Sequence, residues 1–357
     1  MPFLWSRRGG SLDLFRRKRG CIEWFRDSRL SFVKIAVVGC GAVGSYYGGK
    51  LAHAGHEVHF LLRSDYEMVR RKGVLIQSPQ GDFRVRPKCA VSPEAIGSSE
   101  LVLIGLKMTA NDQFPKLLPP LVGAATAVMT LQNGLGNEEQ LARLFAAEQI
   151  LGGLCFVCLN RIKPGVIQHI DYGLVVIGEY GRFPEPRTHD IASMFRAAGI
   201  TCKVTDNLAR THWEKLVWNI PFNGLGVASA AGYEALSSAH SSAKIRRPLG
   251  SCLTTDKLLA DQQWAELVRE LMLEVIAAAR ALGFDLPMTL ADEQIERTRT
   301  MGAYKASTLI DFERGQPLEL ESLFFEPRRQ AREAGVVVPR LDRLCQVLQA
   351  LDGKRSV

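Results

Sequence analysis

Gly39, Gly41 and Gly44, in the run Gly39-Cys40-Gly41-Ala42-Val43-Gly44, follow an apolar stretch, Ile35-Ala36-Val37-Val38, and open a helix-like segment reaching about Ala54. A glycine turn in that setting can hold a dinucleotide. One glycine allows the tight turn, one lets the backbone approach a pyrophosphate, and one lets helix and strand pack closely. The helix N-terminus then offers unpaired N–H groups and a positive dipole end to the phosphates. A second apolar run, Val58 to Leu62, stands behind the helix. That strand–helix–strand context separates the motif from a glycine-rich turn without a ligand. The second run ends at Arg63, followed by Ser64. A carboxylate at this place accepts hydrogen bonds from the ribose 2′-hydroxyl of NAD, whereas a guanidinium pairs with a 2′-phosphate. The expected cofactor is therefore NADP (NADPH), bound by Gly39, Cys40, Gly41, Ala42, Val43, Gly44 and Arg63. Asp65 is expected to cap the next helix.

A second group lies at Lys215, Asn219 and Asn223, spaced four apart. On a helix they form one slowly drifting stripe. Leu216, Val217, Trp218, Ile220 and Phe222 surround it with apolar side chains nearly all round, the mark of a buried helix. A buried lysine with two amides must find partners or it costs several kcal/mol. The alternative is a solvated edge on a half-exposed helix. Pro221, between the two asparagines, removes one backbone bond and is expected to kink the helix there.

The elements that must position these residues alternate between strand and helix as far as about Val204. Leu101–Leu106 and Ala127–Leu131 are short apolar strands of the kind a covered parallel sheet needs. Val74–Gln77 and Phe83–Arg86 flank Pro79-Gln80-Gly81-Asp82 as a hairpin, and Ile162–Gly178 is β-like around Pro164-Gly165. From Asp206-Asn207 the pattern is helical: Leu208–Ala230, Trp264–Leu282 with Gly283 as its stop, then Ala291–Gly302, Tyr304–Arg314, Leu320–Ala334 and Leu341–Leu351. Ser237–Cys252 reads as an exposed loop. The fold class is an α/β N-terminal Rossmann-type domain with a mostly parallel sheet (residues 34–204), followed by an all-α C-terminal domain (205–351) that carries substrate and catalytic groups. A ligand cleft is expected between them.

At 357 residues, with 46% hydrophobic and 23% charged residues, the chain has the composition of an ordinary globular protein. Its net charge of +8 is concentrated in residues 1–33, which hold eight basic and three acidic residues. That segment is read as a basic extension, disordered or arising from an upstream start placed too early. It lacks the apolar core of a secretory signal, and no run approaches the ~20 apolar residues of a membrane span. Nucleic-acid binding is disfavoured, because no basic cluster lies in the folded part. Eight cysteines make no dense framework at this length, so a reducing cytoplasm is expected. Cys155 and Cys158 read as buried structural residues in a strand, and His53, His56 and His59 share no face that could hold a metal.

Taken together these marks resemble the ketopantoate reductases (2-dehydropantoate 2-reductases), from Lys34 to roughly Leu351. The likeness is carried by the glycine turn, Lys107 just past the strand ending at Leu106, Gln132-Asn133-Gly134, the Lys215/Asn219/Asn223 helix, and Ser307 with Glu319 in STLIDFERGQPLELE. The resemblance implies NADPH-dependent reduction of 2-dehydropantoate to pantoate, a step toward pantothenate and coenzyme A. It also implies residue roles. Lys215 would give the proton to the keto oxygen and stabilise charge developing there. Asn219 and Asn223 would hold the substrate hydroxyl and carboxylate, and Ser307 would donate to the carboxylate. Glu319 would accept from the substrate hydroxyl and help orient Lys215 or the nicotinamide ribose. Asn133 would touch the nicotinamide side of the cofactor, and Lys107 would assist Arg63 at the phosphate or face the ribose. The partner expected is a small 2-keto acid, with a homodimer left open.

Each role has a plainer counterpart. Ser307 could be only a helix N-cap, Glu319 and Glu321 a solvated pair at a helix start, and Asn133-Gly134 only a turn. Three features depart from the family pattern: Ile310 replaces a frequent Gln before Asp311, Ser237–Cys252 is an apparent insertion, and a further Asn that some members use for substrate is not evident. Two other functions remain as alternatives, the same fold reducing another branched 2-keto acid and a non-catalytic NADP-binding regulator. The presence of Lys215, Asn219, Ser307 and Glu319 argues against the second, since a sensor needs no proton donor.

Overall fold

A computed structural model describes residues 33–237 and 250–353. Most of the proposed extension, and residues 238–249 of the proposed loop, lie outside the described residues. Val33, assigned above to the extension, belongs to the fold: it is buried, and its carbonyl accepts from the Glu57 amide at 3.2 Å.

Among the described residues, ten strands form one sheet. In chain order they are β1 (Lys34–Val38), β2 (Glu57–Leu61), β3 (Val74–Gln77), β4 (Phe83–Val85) and β5 (Lys88–Ala90). There follow β6 (Ser99–Ile104), β7 (Val122–Thr130), β8 (Ile150–Lys163), β9 (Val166–Glu179) and β10 (Cys202–Val204). Their spatial order is β4-β3-β9-β8-β7-β6-β1-β2-β5, with β10 beside β9. The run β5-β2-β1-β6-β7-β8 is parallel throughout. If the β3–β4 hairpin is set aside, this is the doubly wound order in which ligands bind where the order reverses. Here the reversal falls between β1 and β6. The strands at that point, Ile35–Val38 and Leu101–Ile104, are buried almost completely, as a sheet covered on both faces requires.

The β3–β4 pair forms as the spacing predicts, yet it does not stand apart. β3 also pairs in parallel with the start of β9, which joins the hairpin to the far edge of the same sheet. β8 and β9 are long antiparallel arms around the Pro164-Gly165 turn. Cys155 and Cys158 are buried on β8 as free thiols.

Helices follow from Leu208 onward. The Leu208–Ala228 helix starts where Asn207 accepts a hydrogen bond from the Arg210 amide at 2.9 Å. It is buried along most of its length, with the Gln262–Ala281 and Pro339–Asp352 helices packed against it in one apolar core. Gly224 and Gly226 lie where a Cβ would press on Leu344, Phe324 and Leu309, so small residues set this close packing. The helix is continuous through Pro221. Three details differ from the periodicity. A helix at Thr255–Ala260 is added, the segment at Tyr304 becomes helical only from Ser307 to Glu313, and a π turn at Glu321–Phe325 opens the Glu326–Glu333 helix. No helix among the described residues is long and apolar enough to cross a membrane.

Candidate active site

A cleft of about 2310 Å³ runs along the carboxyl ends of the parallel strands to the face of the long helix. Gly39, Cys40, Gly41, Ala42, Val43, Arg63, Lys107, Asn133, Lys215, Asn219, Asn223, Ser307 and Glu319 all line it. Of the expected cofactor- and substrate-binding residues, Gly44 alone does not, because it packs against the Gly39 carbonyl and Val37.

The three glycines divide their work as their positions demand. Gly39 has φ +94°, and a Cβ there would lie 2.2 Å from the Leu106 amide nitrogen. A Cβ on Gly44 would lie 2.3 Å from the Gly39 carbonyl oxygen. A Cβ on Gly41 would meet nothing within 4 Å, so its face toward the cleft is open. Gly41 begins the Ala42–His53 helix, whose first turn holds no acidic side chain. An open face, free amides and no competing carboxylate fit a pyrophosphate. Arg63 is exposed at the end of β2, and no described residue pairs with its guanidinium. Asp65 stands at the N-terminus of the Tyr66–Lys72 helix, but its side chain makes no cap bond. The carboxylate turns instead to Arg161 of β8, at 2.6 and 2.5 Å.

Lys215 donates to the Asn133 side-chain oxygen at 2.8 Å and to the Cys155 carbonyl at 2.7 Å, with its ammonium 5.1 Å from the Phe156 ring centre. Both hydrogen-bond partners are neutral. Burial therefore lowers its pKa to about 8, with only partial opposition from Cys155. The third ammonium hydrogen has no partner among the described residues. Asn219 and Asn223 are buried and Lys215 is half-buried against the cleft, so the stripe is not a solvated edge.

Asn133 is held from below by a buried relay of amides. Thr130 meets Gln132 at 2.9 Å, Gln132 donates to Asn111 at 2.7 Å, Asn111 donates to Asn137 at 3.0 Å, and Asn137 donates to the Asn133 carbonyl at 3.1 Å. Gly134, at φ +84°, would place a Cβ 2.3 Å from the Ser322 carbonyl oxygen in the π turn. The Leu135 amide donates to the same oxygen. The segment is therefore more than a turn: it docks the end of β7 onto the segment carrying Glu319. Asn111 and Asn137 escaped the sequence reading because isolated amides carry no spacing signal.

Glu319 sits beside Lys107 rather than Lys215. Its carboxylate accepts from the Met108 amide at 2.8 Å and pairs with Lys107 at 3.4 Å; it does not contact Lys215. It is not the solvated pair of the plainer reading either, being buried. Lys107 also pairs with Asp311, so its ammonium is engaged by two carboxylates of the helical half rather than by anything at the β2 end. Burial works against the Lys107 charge, but Glu319 and Asp311 outweigh it and raise its pKa.

Asn223 and Ser307 are coupled. The Asn223 side-chain oxygen accepts from the Ser307 hydroxyl at 3.2 Å, the Thr308 amide at 3.2 Å and the Thr308 hydroxyl at 3.0 Å. Asn223 thereby caps the Ser307–Glu313 helix from a different helix, and Ser307 is that helix's first residue rather than its cap. Asn219 is the opposite case. It is buried, yet its amide has no hydrogen-bond partner among the described residues. No cluster of described His, Cys, Asp or Glu could hold a metal ion.

Comparison with known proteins decides the lineage. Residues 35–182 match the family described as ketopantoate reductase PanE/ApbA, and residues 249–352 match its C-terminal part. The chain belongs to the ketopantoate reductase family. A 2-dehydropantoate 2-reductase of Nostoc sp. is 38% identical over 327 residues, covering 90% of this chain and 96% of the relative. The crystal structure of 2-dehydropantoate 2-reductase from Geobacter metallireducens superposes with a TM-score of 0.80 at 42% identity, covering 89% of this chain and 99% of that one. The fold extends further, to a D-mandelate dehydrogenase solved with NADH and anilino(oxo)acetate (TM-score 0.77, 19% identity, covering 91% of this chain and 100% of that one). Membership of the ketopantoate reductases makes the protein an oxidoreductase, with a Rossmann-type sheet followed by a helical region.

Proposed function

We propose that the protein reduces 2-dehydropantoate to pantoate with NADPH, a reaction on the route to pantothenate and coenzyme A. The observation that carries this reading is Lys215: a lysine with a pKa near 8, one free N–H, and a place in the same cleft as the Gly39–Val43 turn. The relatives named 2-dehydropantoate 2-reductase support the substrate, and the NADH in the mandelate dehydrogenase structure supports a nicotinamide cofactor.

When bound, the reduced nicotinamide supplies the hydride to the carbonyl carbon. The Gly39–Val43 turn and the amides at the start of the Ala42–His53 helix hold the pyrophosphate, and Arg63 takes the 2′-phosphate. Lys215 donates its remaining N–H to the keto oxygen and gives up that proton as the oxygen gains charge. A general acid works best with a pKa near the working pH, and burial moves this lysine there. Asn133 and the Cys155 carbonyl keep the ammonium from turning away. Asn219 offers its unpartnered amide to the substrate, beside Asn223 and the Ser307 hydroxyl. Glu319 contributes by fixing Lys107 and the Met108 amide just past β6, in the same cleft.

The test is oxidation of NADPH by the purified protein against a panel of 2-keto acids. Turnover should be highest on 2-dehydropantoate. Equal or faster turnover on a different branched or aromatic keto acid would replace the substrate while keeping the mechanism, and no turnover on any would remove both.

A further inference from the structure

The end of β2 carries an acid as well as a base. Asp65 lies two residues past Arg63, is buried, and lines the same cleft as Arg63 and Ser64. A carboxylate in this region favours the ribose 2′-hydroxyl of NADH and repels the 2′-phosphate of NADPH. Left alone, Asp65 would oppose the preference that Arg63 creates.

It is not left alone. Both carboxylate oxygens accept from the Arg161 guanidinium, at 2.6 and 2.5 Å, and the Ser64 hydroxyl adds a bond at 3.1 Å. Arg161 comes from β8, 96 residues away in sequence, close to the Pro164-Gly165 turn of the β8–β9 arms. That turn is fixed by the backbone: the Leu75 amide donates to the Gly165 carbonyl at 2.8 Å, and β3 pairs with β9 just beyond. The guanidinium is therefore delivered to Asp65 by an arm hydrogen-bonded into the sheet. It lines the cleft itself, and no described residue other than Asp65 pairs with it.

We propose that Arg161 is a specificity-determining residue, which neutralises Asp65 so that a 2′-phosphate meets the Arg63 charge without a facing carboxylate. Specificity here is a difference between two affinities, and removing a repulsion against NADPH raises it as surely as adding an attraction. The inference rests on the NADPH reading above.

The test measures Kd for NADPH and for NADH by fluorescence titration, with Tm recorded for each protein. Arg161→Gln should lower the NADPH-over-NADH preference by about tenfold or more, the scale of an unmasked like charge. The double variant Asp65→Asn/Arg161→Gln should recover it to within about threefold of the unaltered protein, because the charge needing cover is gone. An unchanged preference in folded Arg161→Gln would overturn the proposal. So would a double variant as poor as the single one, since the guanidinium would then be meeting the phosphate itself. If Arg161→Gln does not fold, Asp65→Asn decides: it should retain the preference, and a tenfold loss would contradict masking. An unaltered protein with no preference for NADPH would overturn the cofactor reading before any variant is compared, and this proposal with it.

Discussion

Lys215 and Asn133, 82 positions apart, share a 2.8 Å hydrogen bond that ties the long helix to the end of β7. The bond joins the only charged member of the helix stripe to a residue braced by a buried amide relay on one side and by the π turn on the other. Such a lysine has few rotamers left, so its remaining N–H is aimed by the fold rather than by the ligand.

The first prediction concerns pH. Reduction needs Lys215 protonated, and burial has lowered its pKa to about 8. The value of kcat/KM for the keto acid should hold level below that point and fall as pH rises through it. Oxidation of the hydroxy acid needs the neutral amine and should show the reverse trend. A reduction rate that stays flat from about pH 7 to about pH 9.5 would separate Lys215 from the proton transfer.

The glycines give a test that needs no substrate. Gly41→Ala meets open space, so Tm should be unchanged while the Kd for NADPH rises about tenfold or more, the added methyl standing where the pyrophosphate must come close. Gly39→Ala combines a left-handed backbone, worth about 1–2 kcal/mol, with a collision against the Leu106 backbone. Its Tm should fall clearly. Calorimetry and cofactor titration of the two variants would show whether fold and binding separate in this way.

The two asparagines should part company. Asn223→Ala leaves the first turn of the Ser307–Glu313 helix without its acceptor and should cost about 1–3 kcal/mol in denaturant unfolding. Asn219→Ala removes an amide with no described partner. Stability should stay within about 0.5 kcal/mol, while KM for the keto acid rises about tenfold or more. A large stability loss at Asn219 would make it structural.

How much of this was legible depends on the range of the interaction. The strand–turn–helix around Gly39 and the helix starting at Asn207 are local, and their signals sit within a few residues of the features they create. The stripe at Lys215 was visible because four-residue spacing survives in one helix. What the stripe meets was not: Asn133 and Cys155 reach it from the loop after β7 and from β8. The same holds for Glu319, which pairs with Lys107 and not Lys215, and for Asp65, which looked like a cap and is claimed by Arg161 from 96 residues away. Asn223 capping another helix through space leaves no mark in sequence order. Val33 joins the fold through its burial and its backbone bonds to His56 and Glu57, contacts that a single apolar residue at the edge of a strand does not announce.

The central claim is that Lys215 supplies the proton, and the direct measurement is turnover of Lys215→Ala on 2-dehydropantoate under saturating NADPH. The account predicts a fall in kcat of roughly 10²–10⁴-fold, a Kd for NADPH little changed because the glycine turn and Arg63 hold the phosphates, and poor rescue by Lys215→Arg, whose guanidinium keeps its proton. A folded Lys215→Ala protein that keeps near-normal kcat would contradict it.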